Sequence, residues 1–212
     1  IMAYTTINKP TEHFNTVTYS NAGDGAKAVT GVGFQPDFTW LKNRGSALHH
    51  QTFDAVRGAT NGALYTSTTN AVDTGYPISS FDSDGFTTGA QSGNAGQNSA
   101  SQVSWNWLAN GAGVANTDGS ISSTVSANTT AGFSIVSYTG DGTNNNTATI
   151  GHGLGVAPSM IIVKGINATA SWITTNTING WNNVLELNST AANAANTHAF
   201  GSTGIPPTST VF

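Results

Sequence analysis

The chain has no cysteine, which excludes disulfide staples and thiolate metal sites and leaves the redox compartment open. Charge is scarce as well. Asp, Glu, Lys and Arg make up 8% of the 212 residues, against about a quarter in an ordinary soluble domain. The cations Lys9, Lys27, Lys42, Arg44, Arg57 and Lys164 are scattered, and the formal net charge is −4. No basic patch stands ready for a phosphate backbone, which argues against nucleic acid as a partner. Long apolar runs are missing: none approaches the roughly 20 residues that span a bilayer, so no membrane insertion is expected. No signal-peptide pattern precedes Tyr4, and a native start is expected at Met2. Helical periodicity is the last absence, because Gly or a Thr/Asn cluster interrupts every candidate i, i+3, i+4, i+7 window.

What is present is a repeat. Residues 31–42 read GVGFQPDFTWLK and residues 153–164 read GLGVAPSMIIVK, so Gly31, Gly33, Pro36 and Lys42 are matched 122 positions later by Gly153, Gly155, Pro158 and Lys164. FNTVTY at 14–19 is answered by FSIVSY at 133–138, a shift of 119. The three-residue difference falls in a Gly/Asn/Asp-rich loop, where insertions are tolerated. Within each copy the pattern has period two: Phe38 and Trp40 alternate with Asp37 and Thr39, and Val103, Trp105 and Trp107 alternate with Ser104 and Asn106. Strands are expected at 14–19, 37–42, 63–67, 78–81, 85–88 and 102–108, then at 133–138, 159–164, 171–175, 184–188 and 198–200. The expected fold is all-β: two tandem antiparallel β-sandwich domains at 1–110 and 132–212, joined by a small-residue linker at 111–131. Phe38, Trp40, Trp105, Trp107, Tyr138 and Ile162 are the expected core, since large aliphatics are few.

GFQPDFTWLKNRG, HHQTFDAVRG, SSFDSDGFTTG and VSWNWLA together resemble the aromatic β-repeats of virion structural proteins in tailed bacteriophages, notably those of marine bacteria. GHGLGVAPSMIIVK, SWITTN, NNVLELNSTAA and PPTSTVF are similar to a second repeat type in the same proteins, and MAYTTINKPTEHFNT resembles the way they begin. The resemblance implies jelly-roll sandwiches of the concanavalin or SPRY-like kind in a tail fibre, appendage or head-decoration protein. It implies a place on the particle surface or tail after assembly in the host cytoplasm, with other virion proteins, further copies of the chain and a host surface glycan as partners. No catalytic residues and no cofactor come with it.

Individual residues are weighed on the same footing. A glycosidase needs two carboxylates across the scissile bond, yet from Phe133 onward the only acids are Asp141 and Glu186, and Ser159 replaces Asp37. Catalysis is not expected. Asp82, Asp84 and Gly85 look like a calcium loop but lack its closing Glu, so an Asx-type turn is expected. The neighbours His49 and His50 would point to opposite faces of a strand, and no metal site is assigned. Asp54 with Arg57, and Asp37 with Lys42 or Arg44, are expected as fold-locking ion pairs; recognition of a sugar hydroxyl by Asp54 and Arg57 is the alternative. Trp181, in the Gly/Asn-rich INGWNN loop, is the aromatic best placed to stack on a sugar. Finally, the resemblance puts Val211 and Phe212 in the place of Gly85 and Phe86, so the second copy is expected to lack a counterpart of VSWNW. Its open edge should be filled by a longer natural chain or by a strand from a neighbouring subunit.

Overall fold

A computed structural model describes residues 7–20, 25–76, 78–89, 101–142, 147–195 and 205–212; the strand expected at 198–200 lies outside them. The described residues are all-β, with one 3-10 turn and no α-helix. In chain order the strands are β1 (Phe14–Ser20), β2 (Ala28–Val29), β3 (Phe38–Asn43), β4 (Gln51–Asp54), β5 (Leu64–Tyr65), β6 (Ile78–Asp82), β7 (Gly85–Thr88) and β8 (Ser101–Trp107). They continue with β9 (Val114–Asn116), β10 (Ser123–Asn128), β11 (Phe133–Tyr138), β12 (Met160–Val163), β13 (Ile173–Asn176), β14 (Asn183–Glu186) and β15 (Ala194–Ala195). Four antiparallel sheets result, ordered β1-β8-β3-β4-β5, β2-β7-β6, β11-β10-β9 and β12-β13-β14-β15.

The repeat in the sequence returns as a repeat of ladders. β3 pairs β4 through Phe38/Asp54, Thr39/Phe53, Trp40/Thr52 and Leu41/Gln51. β12 pairs β13 through Met160/Asn176, Ile161/Thr175, Ile162/Thr174 and Val163/Ile173, each partner 122 positions on. Gln51/Tyr65 and Thr52/Leu64 recur as Ile173/Glu186 and Thr174/Leu185. The bridge between Ala63 and Asp73 recurs as Val184/Ala194. Val29 faces Phe86 in the β2–β7 ladder, and Ile150 and Phe212 likewise exchange backbone hydrogen bonds of 2.8 and 3.0 Å. Matched pairing over such distances requires the same backbone path in both copies, because a one-residue slip would reverse every side chain.

One core cluster draws Leu41, Phe53 and Tyr65 from the five-stranded sheet and Val29, Ile78 and Phe86 from the three-stranded one. Period two decides which residues reach it. On β8 the buried set is Gln102, Ser104 and Asn106, and on β3 it is Thr39, Leu41 and Asn43. Phe38, Trp40, Trp105 and Trp107 lie on the opposite, half-buried face, which corrects their assignment to the core. The aromatics are the bulkiest residues on the strands, but three of their alternates bury by hydrogen bonding: Thr39 donates to Asn106 at 3.1 Å, and the Asn106 amide donates to Ser104 Oγ at 3.0 Å, whereas the Gln102 amide is buried without a partner among the described residues. Tyr138 is half-buried and Ile162 is 41% exposed, so neither is a core residue.

The stretch 111–131 is not a linker. It contains β9 and β10, and β10 forms a hairpin with β11 from Ser123/Tyr138 to Asn128/Phe133. Val125 is buried, Ser123 donates to the Gly151 carbonyl at 3.1 Å, and Ser126 accepts from the Asn110 amide at 2.8 Å. Small hydroxyl residues hide a strand here, because their side chains bond inward instead of advertising an apolar face.

Candidate functional site

Two features stand out for function: the aromatic outer face of the five-stranded sheet and the joint between the two copies. On the outer face Trp107 lies between Phe14 and Phe38, with ring centroids 4.7 and 5.4 Å away, and Phe133 closes the group at 6.1 Å from Trp107. One step along the strands, Trp40 meets Trp105 edge-on at 6.4 Å and 74°. The Trp40 indole donates to His50 Nδ1 at 2.9 Å. That bond requires an unprotonated Nδ1, and burial together with the nearby Lys42 charge holds the His50 pKa below its ordinary value. His49 turns away to Ser67 Oγ at 3.1 Å, so the two imidazoles diverge. Among the described residues no group of three or more His, Asp or Glu side chains could hold a metal ion.

The sequence-nominated polar residues serve turns. Arg57 Nε donates to Asp54 Oδ2 at 2.6 Å, its other nitrogens reach the Gly62 and Thr52 carbonyls at 3.2 and 3.3 Å, and the Arg57 amide donates to Asp54 Oδ1 at 2.8 Å. Both side chains are more than nine-tenths buried, with 8% and 9% exposed, so the pair braces the 54–62 loop and presents little to a ligand. In the second copy Asn176 closes the same turn by accepting from the Asn179 amide at 2.9 Å. Trp181 is half-buried in the turn that follows Gly180.

Asp37 forms no ion pair with Lys42 or Arg44. Its carboxylate accepts from the Ala109 amide at 2.7 Å; burial raises its pKa, and the backbone amides of Ala109 and Gly111 oppose the rise. Asp84 accepts from the amides of Gly31 and Gly33 at 3.0 and 2.6 Å, which lowers its pKa. Asp82 accepts from Ser80 and Thr87, each at 2.7 Å. FDSDGF is therefore a turn between β6 and β7 whose Asp84 fastens the glycine-rich 31–33 loop across the fold, which differs from the Asx-type turn expected, because the carboxylates of Asp82 and Asp84 bond to Ser80, Thr87 and that loop. Gly85 is required there, because an added Cβ would run into the Val29 carbonyl.

The joint was not legible in the sequence. Residues 164–172 of the second copy lie on residues 65–72 of the first. The amides of Val72 and Ala170 each donate across it at 2.9 Å, to the Ile166 and Thr69 carbonyls. The buried Trp172 indole donates to the Tyr65 carbonyl at 2.8 Å, and Lys164 Nζ reaches the Thr69 and Ala170 carbonyls at 3.2 and 2.8 Å. Partial burial lowers the Lys164 pKa. Ser67, Leu187, Asn188, Ser189 and Thr190 line a shallow cleft beside this joint. The only signal in the sequence was the replacement of His50 by Trp172 at the matched position, and its meaning depends on the neighbour.

A family model described as a domain of unknown function, DUF7483, matches residues 9–212. The chain belongs to that family. The match runs through both copies and the β9–β10 segment between them. No curated protein and no solved structure matches the chain.

Proposed function

We propose that this DUF7483 chain is a non-catalytic structural component of a tailed-phage virion, in a tail fibre, appendage or head decoration, and that it works by protein–protein assembly and contact with the host surface. The resemblance of its motifs to virion repeats supports the setting. We further infer tandem jelly-roll sandwiches of the concanavalin or SPRY-like kind, a reading supported by the core cluster that draws on both sheets of the first copy.

The observation that carries the assembly reading is the form of the joint. It is heterologous: the 164–172 surface of one copy meets the 65–72 surface of the other, and repetition of such a contact builds rings or open filaments. The counterparts, residues 42–50 of the first copy and 186–193 of the second, include the buried Asn43 and are exposed over 44–47 and 189–193. Further units can add at both ends through the same geometry. Mass spectrometry of purified particles from the phage that encodes the chain should detect it in stoichiometric amount. Its confinement to the soluble fraction of the lysate would overturn the reading.

One observation favours glycan binding as a second reading, which is the half-buried outer face carrying Trp40, Trp105 and Trp107. Trp40 and Trp105 stand edge-on, so a sugar ring would stack on one indole at a time. Tryptophan fluorescence titrated with neutral oligosaccharides should then respond in the parent and lose its response in Trp105→Ala.

A further inference from the structure

We propose that Asn179–Gly180 is a site of spontaneous deamidation built into the turn between β13 and β14, where the chain converts a neutral side-chain amide of its own into a carboxylate. Asn–Gly occurs three times in the sequence, at 61–62, 110–111 and 179–180. The reaction needs two free groups, because the backbone nitrogen of the glycine attacks the side-chain carbonyl carbon of the asparagine before it. A glycine there has no Cβ to hinder the approach. Among the described residues, one pair of the three leaves both groups free.

At 61–62 the Asn61 side-chain amide donates to the Arg57 carbonyl, and Gly62 is buried with the Asp73 backbone against it. At 110–111 the Gly111 amide bonds to the Asp37 carboxylate, whose charge opposes loss of that proton. At 179–180 the Asn179 side chain and the Gly180 N–H have no partner among the described residues, and Asn179 is half-buried, within reach of water. The turn itself is held in place, since Asn176 Oδ1 accepts from the amides of Ile178 and Asn179 at 3.0 and 2.9 Å.

Asn183 favours the attack. Its Nδ2 donates to the Asn179 carbonyl at 2.6 Å, and that oxygen belongs to the same peptide group as the Gly180 nitrogen. When the nitrogen loses its proton the charge spreads onto the oxygen, so the donor sits where negative charge develops. Hydroxide or a buffer base takes the Gly180 proton, the nitrogen bonds to Asn179 Cγ, and the former side-chain nitrogen leaves as ammonia with a proton from water. Water then opens the succinimide ring at either carbonyl and gives aspartate or isoaspartate. The product is a third acid in the stretch from Phe133 onward, beside Asp141 and Glu186. In isoaspartate the main chain runs through the former side chain and gains a methylene, which pulls apart the bonds from Asn183 to the Asn179 and Gly180 carbonyls.

The test incubates the folded full chain and maps its peptides by mass spectrometry over time. Asn179 should convert at least about tenfold faster than Asn61 and Asn110, at a rate that rises about tenfold per pH unit above neutrality. In urea, where the three pairs share one environment, the ranking should disappear. Asn183→Ala should keep the parental melting temperature and slow conversion at Asn179 by about tenfold. No conversion at Asn179, equal conversion of the three pairs in the folded chain, a ranking that persists in urea, or no slowing in folded Asn183→Ala would each overturn the proposal. The ranking in the parent and its loss in urea test the site without any variant. The reaction needs no partner, so its outcome is independent of the virion reading.

Discussion

At the scale of single residues, buried polar groups do more than their small number suggests. Arg57→Ala leaves the Asp54 carboxylate buried without its guanidinium and frees the Gly62 and Thr52 carbonyls. Removing one partner of a buried pair costs about 3–5 kcal/mol, so urea denaturation should report a loss of that order. A loss of a few tenths would place the pair with ordinary surface ion pairs. His50 gives a pH dependence with a definite sign. Its folded pKa lies below the ordinary 6.5, so its contribution is fully present above that value and declines as pH falls from there towards the folded pKa. Melting temperature should therefore fall between about pH 7.5 and pH 5, with the His50 ring signals titrating in step. In His50→Phe that part of the dependence should vanish. Asp84 acts at lower pH in the same direction, since its depressed pKa means stability present above the ordinary 3.8 and lost as pH drops through the folded value. Asp37, with its raised pKa, opposes it.

At the scale of elements, burial follows alternation and not bulk. Phe53 is fully buried on the inner face of β4, and Trp105 sits on the half-buried outer face of β8. Phe53→Ala should cost about 3–5 kcal/mol. Trp105→Ala should cost less, because its ring keeps water on one side and its loss opens no closed cavity. Equal losses for the two variants in denaturant titrations would mean that the outer face is covered in solution. β10 teaches the same lesson. The segment STVSAN has one large apolar residue, Val125, and still forms the middle strand of its sheet, held by Ser123 and Ser126 side-chain bonds.

At the scale of the whole molecule, the joint couples the copies. Trp172 is 6% exposed and its indole bonds to the Tyr65 carbonyl of the other copy, so Trp172→Ala removes the largest side chain of the contact. A substitution of this kind costs about 3–5 kcal/mol, and its effect should be on cooperativity as well as stability. Calorimetry should show one transition for the parent and two for the variant. A single lowered transition would mean that the aromatic contacts of Phe133 with Phe38 and Trp107 suffice to join the copies.

The sequence by itself determined the all-β class, the register of the repeat and the turns. Those depend on local chemistry: period two, glycines at positive φ such as Gly31 and Gly153, and turn side chains such as Asp54, which accepts from the Arg57 amide three residues on. The pairing of Phe212 with Ile150, the counterpart of Phe86 with Val29, lay outside that register, because Phe212 stands 126 positions after Phe86. The tertiary structure alone decided which face of β3 and β8 is interior. Alternation names two faces without ranking them, and the ranking follows from what packs on each: Thr39, Asn106 and Ser104 bond to one another inside, while the Gln102 amide is buried there without a hydrogen-bond partner among the described residues. It likewise decided that the 111–131 segment is a pair of strands and that Trp172 belongs to a joint. Partners 16 to 107 residues away supply those bonds, and no local pattern in the chain records them.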